Sequence, residues 1–306
     1  MKTNKYDLAV IGAGAAGCAA AIYSSRRNLK TLLLELKGVG GLFLDASWIE
    51  NYPGFERISG VELAEKFKNQ VKKLPIDLVL GEVQNIKKNK EGFEIKTEKE
   101  SFSAKSVIIA AGTRPKELGL KDEKRFSGLG VSYCATCDGP IFRGKEVAVV
   151  GGGNSAVQYA LFLSEICSKV YLIHREKEFQ AEDIVLEKVK SQKNVEVKNP
   201  YEITELFGEK LLEGIKIKNF ETGKEETLKV SGVFVTIGHE TKLDFLKDLK
   251  VELGEKNTIK INEKMETNVP GLFAAGDVTG TAGQIVIACG QGAKAALNAA
   301  SYLKEK

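Results

Sequence analysis

Two glycine-rich turns, each set between a short β-rich run and a helix of small residues, constrain this chain more than any other feature. Residues 6–11, YDLAVI, run into Gly12-Ala13-Gly14-Ala15-Ala16-Gly17. The small-residue stretch CAAAIYSSRRN follows, and then KTLLLEL, which carries Glu35. Strand, GxGxxG, helix, and a second strand ending in an acid is the pattern of a dinucleotide site. Its glycines serve the tight turn, the close approach of backbone to pyrophosphate, and the packing of helix on strand, while the acid bonds a ribose hydroxyl. The pattern returns at 146–174, where EVAVV leads into Gly151-Gly152-Gly153-Asn154-Ser155-Ala156, a helix, and KVYLIHR. There the third glycine is alanine and no acid closes the unit; His174 and Arg175 stand in its place, positioned to meet a phosphate. A chain of 306 residues is too long for one ordinary core, so the two units predict two domains. The second either binds a nucleotide or is a structural duplicate.

The remaining segments fit around these units. VIIAAGTRP (107–115) and GVFVTIGHETK (232–242) read as the places where the chain leaves one nucleotide domain for the other. GLFAAGDVTG (271–280) is a strand ending in Gly276-Asp277, before the small-residue helix QIVIACGQGAKAALNAASYL. An aspartate at that place can bind the hydroxyls of a ribityl chain, and the helix N-terminus favours anionic groups; simple helix capping is the alternative. The predicted fold is α/β, with two Rossmann-like, three-layer ββα domains, the second inserted in the first.

Composition narrows the class. Hydrophobic content of 43% and charge of 28% describe a globular protein. No run of about 18 apolar residues is present for a membrane span. The opening MKTNKYDLAVIGAG runs straight into the glycine motif without a signal peptide, so a cytoplasmic location is expected. A net charge of +4 is too small and dispersed to argue for nucleic acid. The lysine-rich stretch IKKNKEGFEIKTEKE (86–100) alternates in sign, as solvated strand faces do.

Five cysteines without an export signal do not suggest a disulfide framework. Cys18, Cys167 and Cys289 stand singly among apolar or small neighbours and read as buried hydrophobes. Cys134 and Cys137, in YCATCDGP (133–140), form a CxxC. A zinc site would need two more thiolate or imidazole ligands. The only histidines, His174 and His239, are not paired at ligand spacing, and no metal is expected. A redox dithiol is the stronger reading. Asp138 follows directly, where a carboxylate can donate or accept the proton of thiol–disulfide exchange. A turn-forming role before Gly139-Pro140 is its alternative.

With GAGAAG, CATCDG, GGGNSA and AAGDV in this order and spacing, the chain resembles the low-molecular-weight thioredoxin reductase family over essentially its whole length. The resemblance implies a homodimer that reduces thioredoxin. FAD would lie in an outer domain (1–114 and 243–306), and an inserted domain (115–242) would carry the dithiol and, in ordinary members, NADPH. It places flavin contacts on Gly12, Gly14, Ala15, Ala16, Glu35, Gly41, Leu42, Asn51, Val83, Ala111, Gly112, Asp277, Gln284 and Ile285, with Trp48 and Tyr52 either near the flavin or in the core. Cys137 would face the flavin, Cys134 would exchange with thioredoxin, and Asp138 would be the acid. Thr113-Arg114 and Glu240-Thr241-Lys242 would be hinges between two poses of the inserted domain.

Three departures bear on the electron donor. NADPH-using relatives read HRRxxxR after the second unit's last strand, and those arginines clamp the 2′-phosphate. Here the second arginine is Glu176 and the third Gln180, with Lys177 between. At 4–6 Å and an effective dielectric near 20, each unit-charge pair is worth about 3–4 kcal/mol, so exchanging attraction for repulsion disfavours NADPH even after screening. The family's arginine before the final helix is Gly283, and its GGQ is Gly40-Gly41-Leu42. Reduced ferredoxin, the donor in a branch that has lost its nicotinamide motifs, is the expected donor, with NADH next and NADPH last. Competing readings are a dithiol oxidase, disfavoured by ATCDG; a nucleotide-sensing scaffold, disfavoured by the dithiol with its acid; and a ferredoxin–NADP reductase of this fold, which needs no CxxC.

Overall fold

The computed structural model describes residues 4–46, 49–281 and 283–305. The first apolar run lies in β1 (Asn4–Ile11), and the glycine turn delivers the chain into α1 (Ala15–Ser25). Next come β2 (Thr31–Glu35), α2 (Gly60–Lys72), β3 (Ile76–Leu80), β4 (Val83–Asn89), β5 (Gly92–Thr97), β6 (Ser101–Ile109) and β7 (Arg114–Pro115). The sheet runs β3-β2-β1-β6-β5-β4, parallel from β3 to β6 and antiparallel from there to β4. Strand β6 is shared. Its first half, Ser101 to Ala104, pairs with β5, and its second half pairs in parallel with β17 (Leu272–Ala274), where the chain returns. One long strand thus forks between a parallel sheet and an antiparallel meander.

Between these segments come β8 (Val131–Ser132), β9 (Glu146–Val150), β10 (Lys169–Ile173), β11 (Val195–Lys198), β12 (Tyr201–Phe207), β13 (Gly214–Asn219), β14 (Glu225–Leu228) and β15 (Gly232–Val235). The helices of this part are α3 (Glu123–Phe126), α4 (Ala135–Asp138), α5 (Asn154–Ser164) and α6 (Asp183–Lys190). Strands β11-β10-β9-β15-β8 form a parallel sheet, and β12-β13-β14 a separate meander. Helix α7 (Ile285–Lys304) closes the chain.

Each unit is α/β and Rossmann-like, with helices on one face of the parallel strands and a meander on the other. Strand burial shows why. Leu8 and Val10 of β1 pack with α1, α2 and α7, whereas Ala9 and Ile11 pack with Ile86, Phe93 and Ile95 of the meander. Alternate residues of one strand serve two cores, so the strand is apolar throughout. In the second unit, Ala148 and Val150 join the meander's Ile203, Ile215 and Ile217, while Val147 and Val149 meet Ala156, Ala160 and Leu163 of α5.

The chain divides into a unit up to Arg114 and from Glu240 onward, and a second unit, Pro115–His239, inserted in it. Both crossings lie in one two-stranded ribbon, β7 with β16 (His239–Glu240). The second crossing lies between His239 and Glu240, near the bound of about 242 that the resemblance implied. Thr241 is buried and donates its hydroxyl to the carbonyl of Asn257, 2.6 Å away, which ties it to the first unit.

Candidate functional site

Of the cofactor residues expected in the first unit, Gly12, Glu35, Ala111, Gly112 and Asp277 lie at or just past the C-terminal ends of parallel strands, the edge where open α/β sheets bind ligands. Gly12 follows β1 at φ +103°, and a β-carbon there would strike the carbonyl of Ala110. This close approach sets Ala110 and its neighbours Ala111 and Gly112, beyond β6, beside the glycine turn. Gly14 bridges to Gly40 and lies next to Gly41, so the turn and the start of the 3-10 segment Gly41–Asp45, which holds Leu42, form one wall. Helix α1 begins at Ala15 and Ala16 with no side-chain cap and no acid in its first turn. Its N-terminal amides are left to a ligand, as a pyrophosphate requires.

Glu35 ends β2 and accepts the Ala13 N–H at 2.6 Å and the Lys37 N–H at 3.0 Å. The same strand end bonds through its carbonyl to Gly81 N–H, two residues before Val83. Gly276 packs against Ala16 and sets Asp277, half-buried, at the end of β17. Asn51 donates its amide to Gln284 Oε1 at 3.0 Å, and Gln284 caps α7 just before Ile285. An uncapped helix N-terminus, an acid at the second strand end and an open glycine approach fit FAD. Trp48 lies outside the described residues. Tyr52 is half-buried and packs against the core: it stacks on Phe55, meets Phe67 edge-on, and burial pushes its hydroxyl up to about 12.

One contributor gave no sequence signal. Gln291 Oε1 accepts the Gly276 N–H at 2.7 Å and so fixes the turn that presents Asp277. Burial raises the Cys18 thiol to about 12 and Cys167 to about 11, and raises Cys289 as well. Cys18 and Cys167 are buried, as their neighbours suggested, whereas Cys289 is half-buried.

In the second unit Cys134 and Cys137 form a disulfide with their Cα atoms 5.4 Å apart. Cys134 is buried and caps α4, its sulfur accepting the Cys137 N–H at 3.1 Å, while Cys137 is exposed. Asp138 follows in the same turn. Its carboxylate accepts a 2.6 Å hydrogen bond from Ser132 at the end of β8. Ser132 Oγ also accepts the Cys134 N–H at 3.1 Å. The spacing of CATCD did not reveal Ser132, because the bond depends on how the turn folds back on the strand.

The second glycine turn is built like the first. Gly153 caps α5 without a side chain, and Asn154 and Ser155 are exposed. Past the end of β10 the structure departs from the expected phosphate contact. His174 is buried, its ring lying where a β-carbon on Gly152 would fall, 4.9 Å from the Phe179 ring, with Nε2 3.0 Å from the Glu178 carbonyl. Its ring is turned inward as a packing residue. Beyond it, Arg175 lies 3.7 Å from Glu176, Gln180 donates to Glu176 at 3.2 Å, and Lys177 pairs with Glu221 at 2.6 Å.

Two Rossmann-like units, one with an uncapped pyrophosphate turn and the other with a CxxC disulfide beside a carboxylate, define a flavin-type disulfide oxidoreductase. The Pyridine nucleotide-disulphide oxidoreductase family profile matches residues 6–292, and the chain belongs to that family. It is 40% identical to thioredoxin reductase of Helicobacter pylori, over 97% of this chain and 99% of that one. A thioredoxin reductase structure from Lactococcus lactis superposes with a TM-score of 0.91 at 36% identity, covering 98% of this chain and 100% of that one. A ferredoxin-flavin thioredoxin reductase from Clostridium acetobutylicum matches at 35% identity and a TM-score of 0.54, covering 99% and 100%. Family membership implies FAD and a nicotinamide cofactor. No helix among the described residues is long and apolar enough to cross a membrane.

Proposed function

We propose that this chain is a flavin-dependent thioredoxin reductase whose electron donor is not NADPH. The observation that carries the dithiol role is the Cys134–Cys137 disulfide, with one sulfur buried, the other residue exposed, and Asp138 in the same turn. FAD, when bound, supplies two electrons to that disulfide. Reduction takes up two electrons and two protons and leaves two thiols. Cys137 is the residue open to an incoming electron pair, and Asp138 returns a proton to the departing sulfur. Cys134 then attacks the thioredoxin disulfide, Cys137 closes the ring again, and thioredoxin leaves as the dithiol. Likeness to thioredoxin reductases along nearly the full chain supports thioredoxin as the acceptor. The rim from Gly12 to Gln284 supports the flavin contacts in the first unit.

The case against NADPH rests on Glu176. Its carboxylate lies 3.7 Å from Arg175 and accepts from Gln180 at 3.2 Å, which puts an exposed anion where a 2′-phosphate clamp needs a cation. Reduced ferredoxin is the first reading for the donor, supported by the missing clamp and by the likeness to the Clostridium enzyme. NADH is the second, favoured by the uncapped start of α5. A homodimer and a cytoplasmic location complete the proposal, the latter in keeping with three free thiols.

Anaerobic mixing of the flavoprotein with stoichiometric NADPH, NADH or reduced ferredoxin, followed by the visible absorbance of oxidised flavin, tests the donor. Rapid bleaching by ferredoxin or NADH and slow bleaching by NADPH is expected. Fast bleaching by micromolar NADPH refutes the donor assignment. Sedimentation of the purified protein tests the dimer.

A further inference from the structure

The Ser132 hydroxyl has three polar neighbours: Asp138 Oδ2 at 2.6 Å, the Cys134 carbonyl at 3.2 Å and the Cys134 N–H at 3.1 Å. Ser132 is 5% exposed, so water does not readily replace them. The Cys134 N–H is a fixed donor and occupies one lone pair. A hydroxyl carries one hydrogen and can give it to only one of the two remaining acceptors. If Asp138 is ionised, the hydrogen points to its carboxylate. If Asp138 is protonated, it donates to Ser132 Oγ, and the serine hydrogen turns to the Cys134 carbonyl. In both arrangements every group keeps a partner without a heavy atom moving, because the Cys134 carbonyl also accepts the Asp138 N–H at 3.1 Å.

We propose that Ser132 is a positioning residue that holds Asp138 beside the dithiol in both protonation states, so that Asp138 can take up and return the proton of thiol–disulfide exchange in place. The support is rigid: Ser132 sits in β8 in register with Phe234 of the buried strand β15. The inference rests on the reading of Asp138 as the proton carrier.

The other titratable or charged groups on elements adjoining this turn are Cys134 and Cys137 themselves, Tyr133 after β8, Tyr159 in α5 and Arg143 after the 3-10 turn Gly139–Phe142. Tyr133 is committed to Glu123 at 2.7 Å. Removing the Ser132 hydroxyl takes a donor from the Asp138 carboxylate and leaves it without its hold on β8, which slows the exchange reaction.

The test uses the full-length flavoprotein reduced anaerobically and mixed with the aromatic disulfide 5,5′-dithiobis(2-nitrobenzoate). Two electrons pass from the protein dithiol to the probe, whose S–S bond breaks to give two aromatic thiolates, while the protein disulfide forms and the dithiol's two protons go to Asp138 and solvent. Rates are followed across the acidic to neutral range for wild type and for Ser132→Ala, Ser132→Thr, Ser132→Val and Asp138→Asn. Threonine and valine share a shape and differ in the hydroxyl, so this pair decides the matter if the alanine variant does not fold. Ser132→Val is expected to lose roughly tenfold in rate, and Ser132→Thr to recover it. Equal profiles for the threonine and valine variants, with Asp138→Asn still abolishing the limb, overturn the role of Ser132. A limb that persists in Asp138→Asn overturns instead the reading of Asp138.

Discussion

At the scale of single residues the sharpest consequences fall on the dithiol and on Glu176. Cys137→Ser leaves the flavin rim untouched, so the purified variant should keep its flavin content and lose turnover with thioredoxin down to background. Full turnover in that variant would remove the dithiol from the mechanism. Replacing Glu176 and Gln180 together by arginine turns repulsion into attraction at the 2′-phosphate. With each unit-charge pair worth roughly 3 kcal/mol before screening, NADPH affinity should rise by at least about a hundredfold, measured by titrating flavin bleaching. The disulfide pair, the carboxylate that follows it and the missing arginines were legible because they are carried by adjacent letters: CATCD and HREKEFQ are local statements. His174 was misread because nothing local says which way the residue after a strand will turn; its ring goes inward against Gly152 and Phe179. Ser132 and Gln291 left no signal, since each acts through a hydrogen bond that exists only once the chain has folded back on itself.

Elements were easier to read than contacts between them. Both strand–glycine–helix units fell where the apolar runs placed them, because strands buried on two faces must be apolar throughout. The small residues of the last helix were visible as composition, but their partner was not. Gly292 of α7 lies against the carbonyl of Ala16 in α1, with no room for a β-carbon. Gly292→Ala should push α7 off the first turn of α1, costing about 1–3 kcal/mol and loosening the flavin. Thermal unfolding and flavin content after gel filtration report the two effects. Normal values for both would mean that the helices can slide at no cost. The second unit's meander makes a prediction of a different kind. Hydrogen bonds from Lys198 first, and then Tyr201, hold Glu226 down at about 2 against an ordinary 4.5, joining β11 and β12 to β14. A depressed carboxylate contributes stability above its unfolded value and loses it as pH falls toward the folded one. Wild type should therefore outlast Glu226→Gln in chemical denaturation near neutral pH, and the gap should close between pH 4.5 and about 2. A gap that stays constant across that window would leave the carboxylate's charge without a part in it.

For the whole molecule, the feature that matters is one chain closing two separate sets of cores. The first unit is assembled from both ends of the sequence, because β17 and α7 complete a sheet and a helical layer that β1 and α1 begin. The second unit, Pro115–His239, has its own parallel sheet, meander and helices and borrows no strand from the first. The alternation of patterns along the sequence revealed the insertion. The chain first changes unit between Arg114 and Pro115 and returns between His239 and Glu240, where the buried Thr241 hydroxyl is bonded to Asn257 of the first unit. Stability should follow the same division. FAD contacts are assigned to the first unit alone, and a ligand that binds only the folded form stabilises it by about 2.7 kcal/mol at a hundred times its Kd. In calorimetry, added FAD should therefore raise the unfolding transition of the first unit and leave that of the second in place, with limited proteolysis of the heated protein identifying which segment has opened. One transition that moves as a whole with FAD would show that the two units unfold together, and the division into separate cores would then describe the packing of the chain without describing its cooperativity.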